Sequence, residues 1–325
     1  MGRRFHIAIL SDIHYAGPIE QARGDDYEFQ AIPNPLLRAF ARLYRNLIWL
    51  RQPLQQGWRL DRFLAGCGTP DHVIANGDYC CDTQFVGVCE AGAYESAALC
   101  LGKLRAKFGN RLCATLGDHE LGKLHLFGAP SGMRLESWRR ATGPLGLPSF
   151  WRLDLGNWVL LGVTSTLVAL PTFEKDMLPE ERTEWLRLRT EHLEQIRSAF
   201  ASLQSGQRVL LFCHDPTALP YLWREAAVRE RLGQVEQTVI GHLHTNLVLW
   251  KSRMLAGMPP IRFLGHSVRK MSEALSEARH WRPFKVRLCP ALAGIQLLKD
   301  GGWYEVELDE AARQPAQFVF HPLRA

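Results

Sequence analysis

The chain lacks what would place it outside the ordinary globular classes. No apolar run reaches the ~20 residues of a membrane-spanning helix. Eight cysteines are present, but no CxxC pair occurs and the adjacent pair Cys80-Cys81 is poorly placed to close on itself. That speaks against a disulfide frame or a zinc ribbon and points to a reducing cytosol. The opening "MGRRFHIAIL" runs straight into a strand pattern with no small-residue cleavage site, so no secretory signal is expected. No linker, internal repeat or low-complexity stretch interrupts the 325 residues, and a single domain over 1–325 is the expectation. A large charge imbalance is also missing: the net charge is +6, which matters only where it clusters. With so mild an excess and no aromatic stacking platform, nucleic acid is not an expected partner.

What is there is a series of short apolar runs that end in polar residues. They read "HIAILSD", "HVIANGD", "LCATLGD", "RVLLFCHD" and "QTVIGHLH". Each has the length and the apolar continuity of a strand buried on both faces. Helical stretches lie between them, over 89–108 and over 179–203, the second with Pro179 and three acids in its first turns. Strand–helix alternation predicts an α/β fold. Two hairpins are also predicted. One spans "FWRLDLGNWVLLGVTS" and turns at Gly156-Asn157, and the other spans "GIQLLKDGGWYEVEL" and turns at Asp300-Gly301-Gly302.

All five runs finish in Asp or His. The residues are Asp12 and His14, then Asp78, then Asp118 and His119, then His214, then His242 and His244. In open α/β sheets, ligands sit beyond the carboxyl ends of the strands, so these side chains are expected to converge. Any one pair has an ordinary reading as a hydrogen-bonded turn. Five strand ends drawing on the same two residue types point instead to a metal site. Mixed carboxylate and imidazole donors suit manganese, iron or zinc, and the number of donors suits two ions. Two ions ~3.5–4 Å apart can clamp a phosphate and activate a water.

The ordered set "DIH", "GDYCCD", "GDHE", "CHD" and "GHLH" resembles the calcineurin-like metallophosphoesterase superfamily. The resemblance implies a four-layer α/β/β/α sandwich and hydrolysis of a phosphoester or phosphoanhydride. It implies two divalent metals, with manganese the expected ion and iron or zinc the alternatives. Carried over by position, Asp12, His14 and His244 would hold the first ion, and Asp118, His214 and His242 the second. Asp78 would bridge them, and His119 would stand beside the phosphate as the catalytic acid or charge stabiliser. Two departures stand out. Asp118 replaces the usual Asn, and Asp82 falls one residue later than the family's second-motif acid, with no role assigned.

Residues 16–56 exceed what a strand–helix connection needs. They are expected to form a helical insertion over the active site. Within them, "NPLLRAFARLYRNLIWL" reads as a helix with Asn34 as N-cap and Pro35 in its first turn. Leu36, Leu37, Phe40, Leu43, Tyr44, Leu47, Ile48 and Leu50 fill one face, and Arg38, Arg42 and Arg45 lie opposite. Residues 29–60 hold five Arg and no acid. That pattern suits a helix lying on an anionic membrane, or one packed on its own domain with the arginines in solvent. Farther on, His266, Arg269 and Lys270 are candidate phosphate contacts.

The membrane reading resembles the UDP-2,3-diacylglucosamine hydrolases of lipid A biosynthesis. It implies a cytoplasmic enzyme, peripheral on the inner face of the membrane, that cleaves a lipid-linked diphosphate into a lipid phosphate and UMP. The alternatives are a soluble nucleotide phosphodiesterase or phosphoprotein phosphatase, and a non-catalytic membrane- or protein-binding scaffold. No obligate protein partner is expected.

Overall fold

The computed structural model describes residues 2–30, 32–124, 131–261, 263 and 266–323. Ten strands follow in chain order among them: β1 Arg4–Leu10, β2 His72–Ala75, β3 Leu112–Ala114, β4 Phe150–Leu155, β5 Trp158–Val163, β6 Arg208–Cys213, β7 Val235–Ile240, β8 Val286–Leu288, β9 Gly302–Asp309 and β10 Gln317–Pro322. They form two five-stranded mixed sheets, ordered β10-β9-β1-β2-β3 and β4-β5-β6-β7-β8. The α-helices are α1 Pro18–Arg23, α2 Pro35–Tyr44, α3 Trp58–Gly66, α4 Ala91–Phe108, α5 Asp118–Leu121, α6 Leu135–Thr142, α7 Ser165–Val168, α8 Arg182–Ala201, α9 Leu219–Arg224, α10 Ala226–Glu230, α11 Asn246–Met254 and α12 His266–Glu277.

Side-chain alternation explains the layering. In β1, Phe5, Ile7 and Ile9 face the second sheet, where they meet Leu210 and Phe212 of β6 and the fully buried Trp158 of β5. Their neighbours Ala8 and Leu10 turn the other way, onto α3 and α4 through Phe63, Ala97 and Leu101. On the far side, Val209, Leu211 and Cys213 of β6 pack on Leu193, Ile196 and Phe200 of α8. The result is helix, sheet, sheet, helix, the expected four-layer sandwich.

One predicted hairpin forms and the other does not. β4 and β5 pair antiparallel from Phe150↔Val163 to Leu155↔Trp158. Residues 295–299 form no strand; β9 instead pairs antiparallel with β1 and with β10. The apolar "GIQLL" looked like a strand, but its backbone turns: Leu298 and Lys299 donate to Ile295 O, and Ile295 N donates to Asp300.

The insertion keeps its expected helix but not the expected surroundings. Asn34 Oδ1 accepts from Leu36 N and Leu37 N, capping α2 as anticipated. After Tyr44 the chain widens into a π-turn over Arg45–Trp49, with Leu50 N donating to Arg45 O. No residue of α2 or of this turn is buried. The apolar face is outermost: Leu36 is 80% exposed, Phe40 65% and Leu47 60%. The arginines turn inward instead. Arg38 donates to Ile32 O, Arg42 to Asp26 and Arg45 to Asp25 O. The segment is anchored by Phe29, Ile32 and Leu54, which are buried. Among the described residues, no helix is long and apolar enough to cross a membrane.

Candidate metal centre

The strand-end residues meet where the two sheets open. Four groups of donors lie with their ligand atoms within 4.8 Å of one another: Asp12, His14 and His244; His14, Asp78 and His119; Asp118, His214 and His242; and Asp12, Asp78 and His214. The first and third are the two metal triads expected from the sequence. Asp78 shares groups with members of both.

Backbone geometry accounts for the recurring glycines. A Cβ on Gly117 would stand 2.1 Å from Asp78 Oδ1, and one on Gly77 would stand 2.6 Å from His214 Nδ1. Each glycine lets the neighbouring ligand loop close onto the site. Asp12, His14, Asp78, His242 and His244 all have positive φ, between 48° and 60°. Non-glycine residues held there cost roughly 1 kcal/mol or more each, and such strain collects at functional sites.

The imidazoles are oriented from behind. His214 Nδ1 donates to Asn76 O at 2.6 Å, and His14 Nδ1 faces Cys80 O at 3.4 Å. A carbonyl can only accept, so each ring carries a proton there and turns Nε2 inward, the nitrogen left to face a metal. The inner atoms then crowd together. His14 Nε2 lies 3.3 Å from His244 Nε2, and His244 Nε2 lies 3.3 Å from Asp12 Oδ1. His214 Nε2 lies 3.1 Å from Asp78 and 3.2 Å from Asp118. His214 Nε2 and Asp12 Oδ2 are nonetheless buried without a hydrogen-bond partner. Converging imidazole nitrogens and carboxylate oxygens, with buried ligand atoms left unpartnered, fit divalent cations, and the mixed N/O donors suit a borderline metal.

Electrostatics follow the same arrangement. Burial pushes the Asp118 carboxyl up, but His242 and His214 outweigh it and hold the group well below the usual range. Burial lowers His242, yet the Asp118 carboxylate brings it up to about 9. Asp118, which replaces the family's Asn, is thus ionised and sits 2.9 Å from His242 Nδ1. Glu120 links the ligand loops: its carboxylate accepts from the backbone N–H groups of Asp78, Tyr79 and Gly117. Burial, then the charge of Asp78, pushes it up to about 7.

A cavity of about 290 Å³ opens over the donors. One wall comes from the insertion, as Arg45, Trp49, Leu50 and Leu54; the other comes from Phe85, His119 and Lys123. The Trp49 ring lies 4.9 Å from that of His244. Trp49, Phe85, Glu120 and Lys123 were not singled out from the sequence. Only the capping pattern at Glu120 offered a local signal.

The substrate candidates divide. Arg45 lines the cavity, whereas Arg38 and Arg42 do not. Arg269 pairs with Glu273 on its own helix, and Lys270 pairs with Asp176. The side chain of His266 lies outside what is described. Asp82 is buried near Lys123 and accepts from Gly87 N.

Comparison with known proteins gives one decisive result. The family model for calcineurin-like phosphoesterase matches residues 5–246. No curated protein matches the chain. Among solved structures, a phosphopantetheinyl hydrolase from Mycobacterium tuberculosis is similar at 13% identity and a TM-score of 0.35, covering 75% of this chain and 84% of that one. A purple acid phosphatase from yellow lupin seeds is similar at 12% and 0.34, covering 75% and 38%. A predicted phosphoesterase from Streptococcus pneumoniae is similar at 9% and 0.27, covering 99% and 100%.

Proposed function

We propose, from the premise that this chain belongs to the calcineurin-like phosphoesterase family and hydrolyses phosphoester or phosphoanhydride bonds, that its substrate is a lipid-linked phosphate or diphosphate taken at an anionic membrane surface. The observation that carries this reading is the continuity of the insertion. Its outer face exposes Leu36, Phe40, Leu43 and Leu47. Its far end places Trp49, Leu50 and Leu54 on the wall of the metal cavity. An amphiphile can therefore keep its chains against the outer face while its phosphate reaches the donors. Exposed apolar patches of this extent mark interaction surfaces. Arg51 and Lys299, both exposed beside the patch, suit anionic lipid.

Asp12, His14, His244 and Asp78 would hold one ion, and Asp78, Asp118, His214 and His242 the other. Bound there, two divalent ions supply Lewis acidity for the phosphoryl oxygens. The chain does the rest. Cys80 O and Asn76 O fix the tautomers of His14 and His214. Glu120 holds the Asp78 and Gly117 loops in register. His119, with Nε2 3.8 Å from Asp78, stands beside the reacting group.

The test compares two substrates and one surface. Manganese-loaded protein should hydrolyse UDP-2,3-diacylglucosamine or a similar lipid-linked diphosphate in preference to a free nucleotide. It should also sediment with phosphatidylglycerol vesicles. A preference for free nucleotides, with the protein left in the supernatant, supports the soluble phosphodiesterase instead.

A further inference from the structure

His119 is the residue that the family pattern puts beside the leaving oxygen, but its hydrogen bonds leave it little to give. Nδ1 lies 2.7 Å from Cys81 O. A carbonyl oxygen only accepts, so the ring proton sits on Nδ1 and points at the main chain. Nε2 is then a lone pair, and the Lys123 ammonium donates to it. The N–H groups that this pair presents to the cavity therefore belong to Lys123, which has two more after the one His119 takes.

Lys123 is also placed with care. Gly122, at φ 96°, ends the single turn of α5 and sends the chain across the cavity wall. Lys123 N donates to Phe85 O at 3.1 Å, and Lys123 O accepts from Gly132 N at 2.9 Å. The ammonium lies over the Phe85 ring, 5.3 Å from its centre. The buried Asp82 carboxyl is near enough to feel its charge.

Resting on the hydrolase reading above, we propose that Lys123 is a catalytic residue that contacts the leaving oxygen, and that His119 positions it. In the reaction, water adds to phosphorus as its P–O bond to the leaving group breaks. Lys123 donates a charge-assisted hydrogen bond, and then a proton, to the departing oxygen; the proton released by the attacking water restores the ammonium. A dedicated donor matters most when the leaving group is a poor one.

The experiment uses phenyl phosphodiesters running from a nitrophenol to an unsubstituted phenol leaving group, with metal content measured on every sample. Lys123→Met should lose less than about tenfold in kcat on the nitrophenyl ester and about a hundredfold on the phenyl ester. KM should change little, and Lys123→Arg should recover part of the loss. An equal loss on every ester would overturn the leaving-oxygen role. A second readout needs neither metal nor turnover. Nitrogen-15 spectra of the metal-free wild type at neutral pH should show His119 with a protonated Nδ1 and a bare Nε2. A protonated Nε2 would overturn the positioning arrangement. Wild type inert towards every phosphodiester would sink the hydrolase reading, while the imidazole spectrum still decides the Lys–His pair.

Discussion

The metal centre and the insertion beside it are built on opposite rules. At the centre, polar groups are buried, the backbone is held at positive φ, and glycines sit where a single methyl would collide with a ligand. In α2, apolar groups are exposed and no residue is buried. One region keeps charge away from water to hold a cation. The other keeps hydrocarbon in water, which is unfavourable unless something covers it. Together they suggest a rigid chemical site served by an adaptable contact surface. Substitutions should behave differently in the two places.

The largest contrast should come from the bridging carboxylate. Asp78→Ala should lower hydrolysis of an aryl phosphodiester by about a thousandfold or more, with both metals weakened in elemental analysis; activity within tenfold of wild type would break the assignment. Gly117→Ala comes next. Its methyl meets Asp78 Oδ1 at 2.1 Å, and a displacement of that size at a reacting centre costs about a hundredfold. Kinetics should register the loss even where the fold survives.

In the insertion, Phe40→Glu with Leu47→Glu should weaken vesicle binding by about tenfold or more. Turnover of a small soluble ester should stay the same. Because Arg38 and Arg42 bond to the chain itself, this pair tests the membrane surface more cleanly than reversing those arginines would. Unchanged sedimentation would leave the apolar face to a second copy of the chain or a protein partner.

Asp82 tests the buried side through pH. Burial pushes its carboxyl up to about 8, against about 3.9 in an unfolded chain. Folding therefore takes up a proton between these values. The stability this gives is complete below the unfolded value and is lost as pH rises towards the folded one. Asp82→Asn, neutral throughout, should flatten the fall in Tm between about pH 5 and about pH 8. The smallest effect belongs to Leu36→Ala. At 80% exposure it should shift stability by no more than about 0.5 kcal/mol.

How much could be read in advance also differs between the regions. Asp12, Asp78, His214 and the rest were legible because an apolar strand that ends in Asp or His delivers that side chain to the sheet's carboxyl edge whatever else the chain does. The sandwich was legible through the same runs and through the Gly156-Asn157 hairpin. "GIQLL" misled, because local turn bonds to Asp300 won over strand propensity. Lys123 was invisible: only the folded chain puts its ammonium on the cavity wall against His119 Nε2.

By itself, the sequence determined which Asp and His residues gather at the strand ends, the glycines beside them, and the existence and cap of α2. These depend on residue type and on spacing along a single element. Tertiary structure alone decided which face of α2 meets the protein, which histidine proton faces a carbonyl, and which cation enters the cavity. Periodicity defines two faces of a helix but carries no information about what lies across from either one. Here the carbonyls of Asp25 and Ile32 and the carboxylate of Asp26 drew the arginines inward, and that left the apolar face outside.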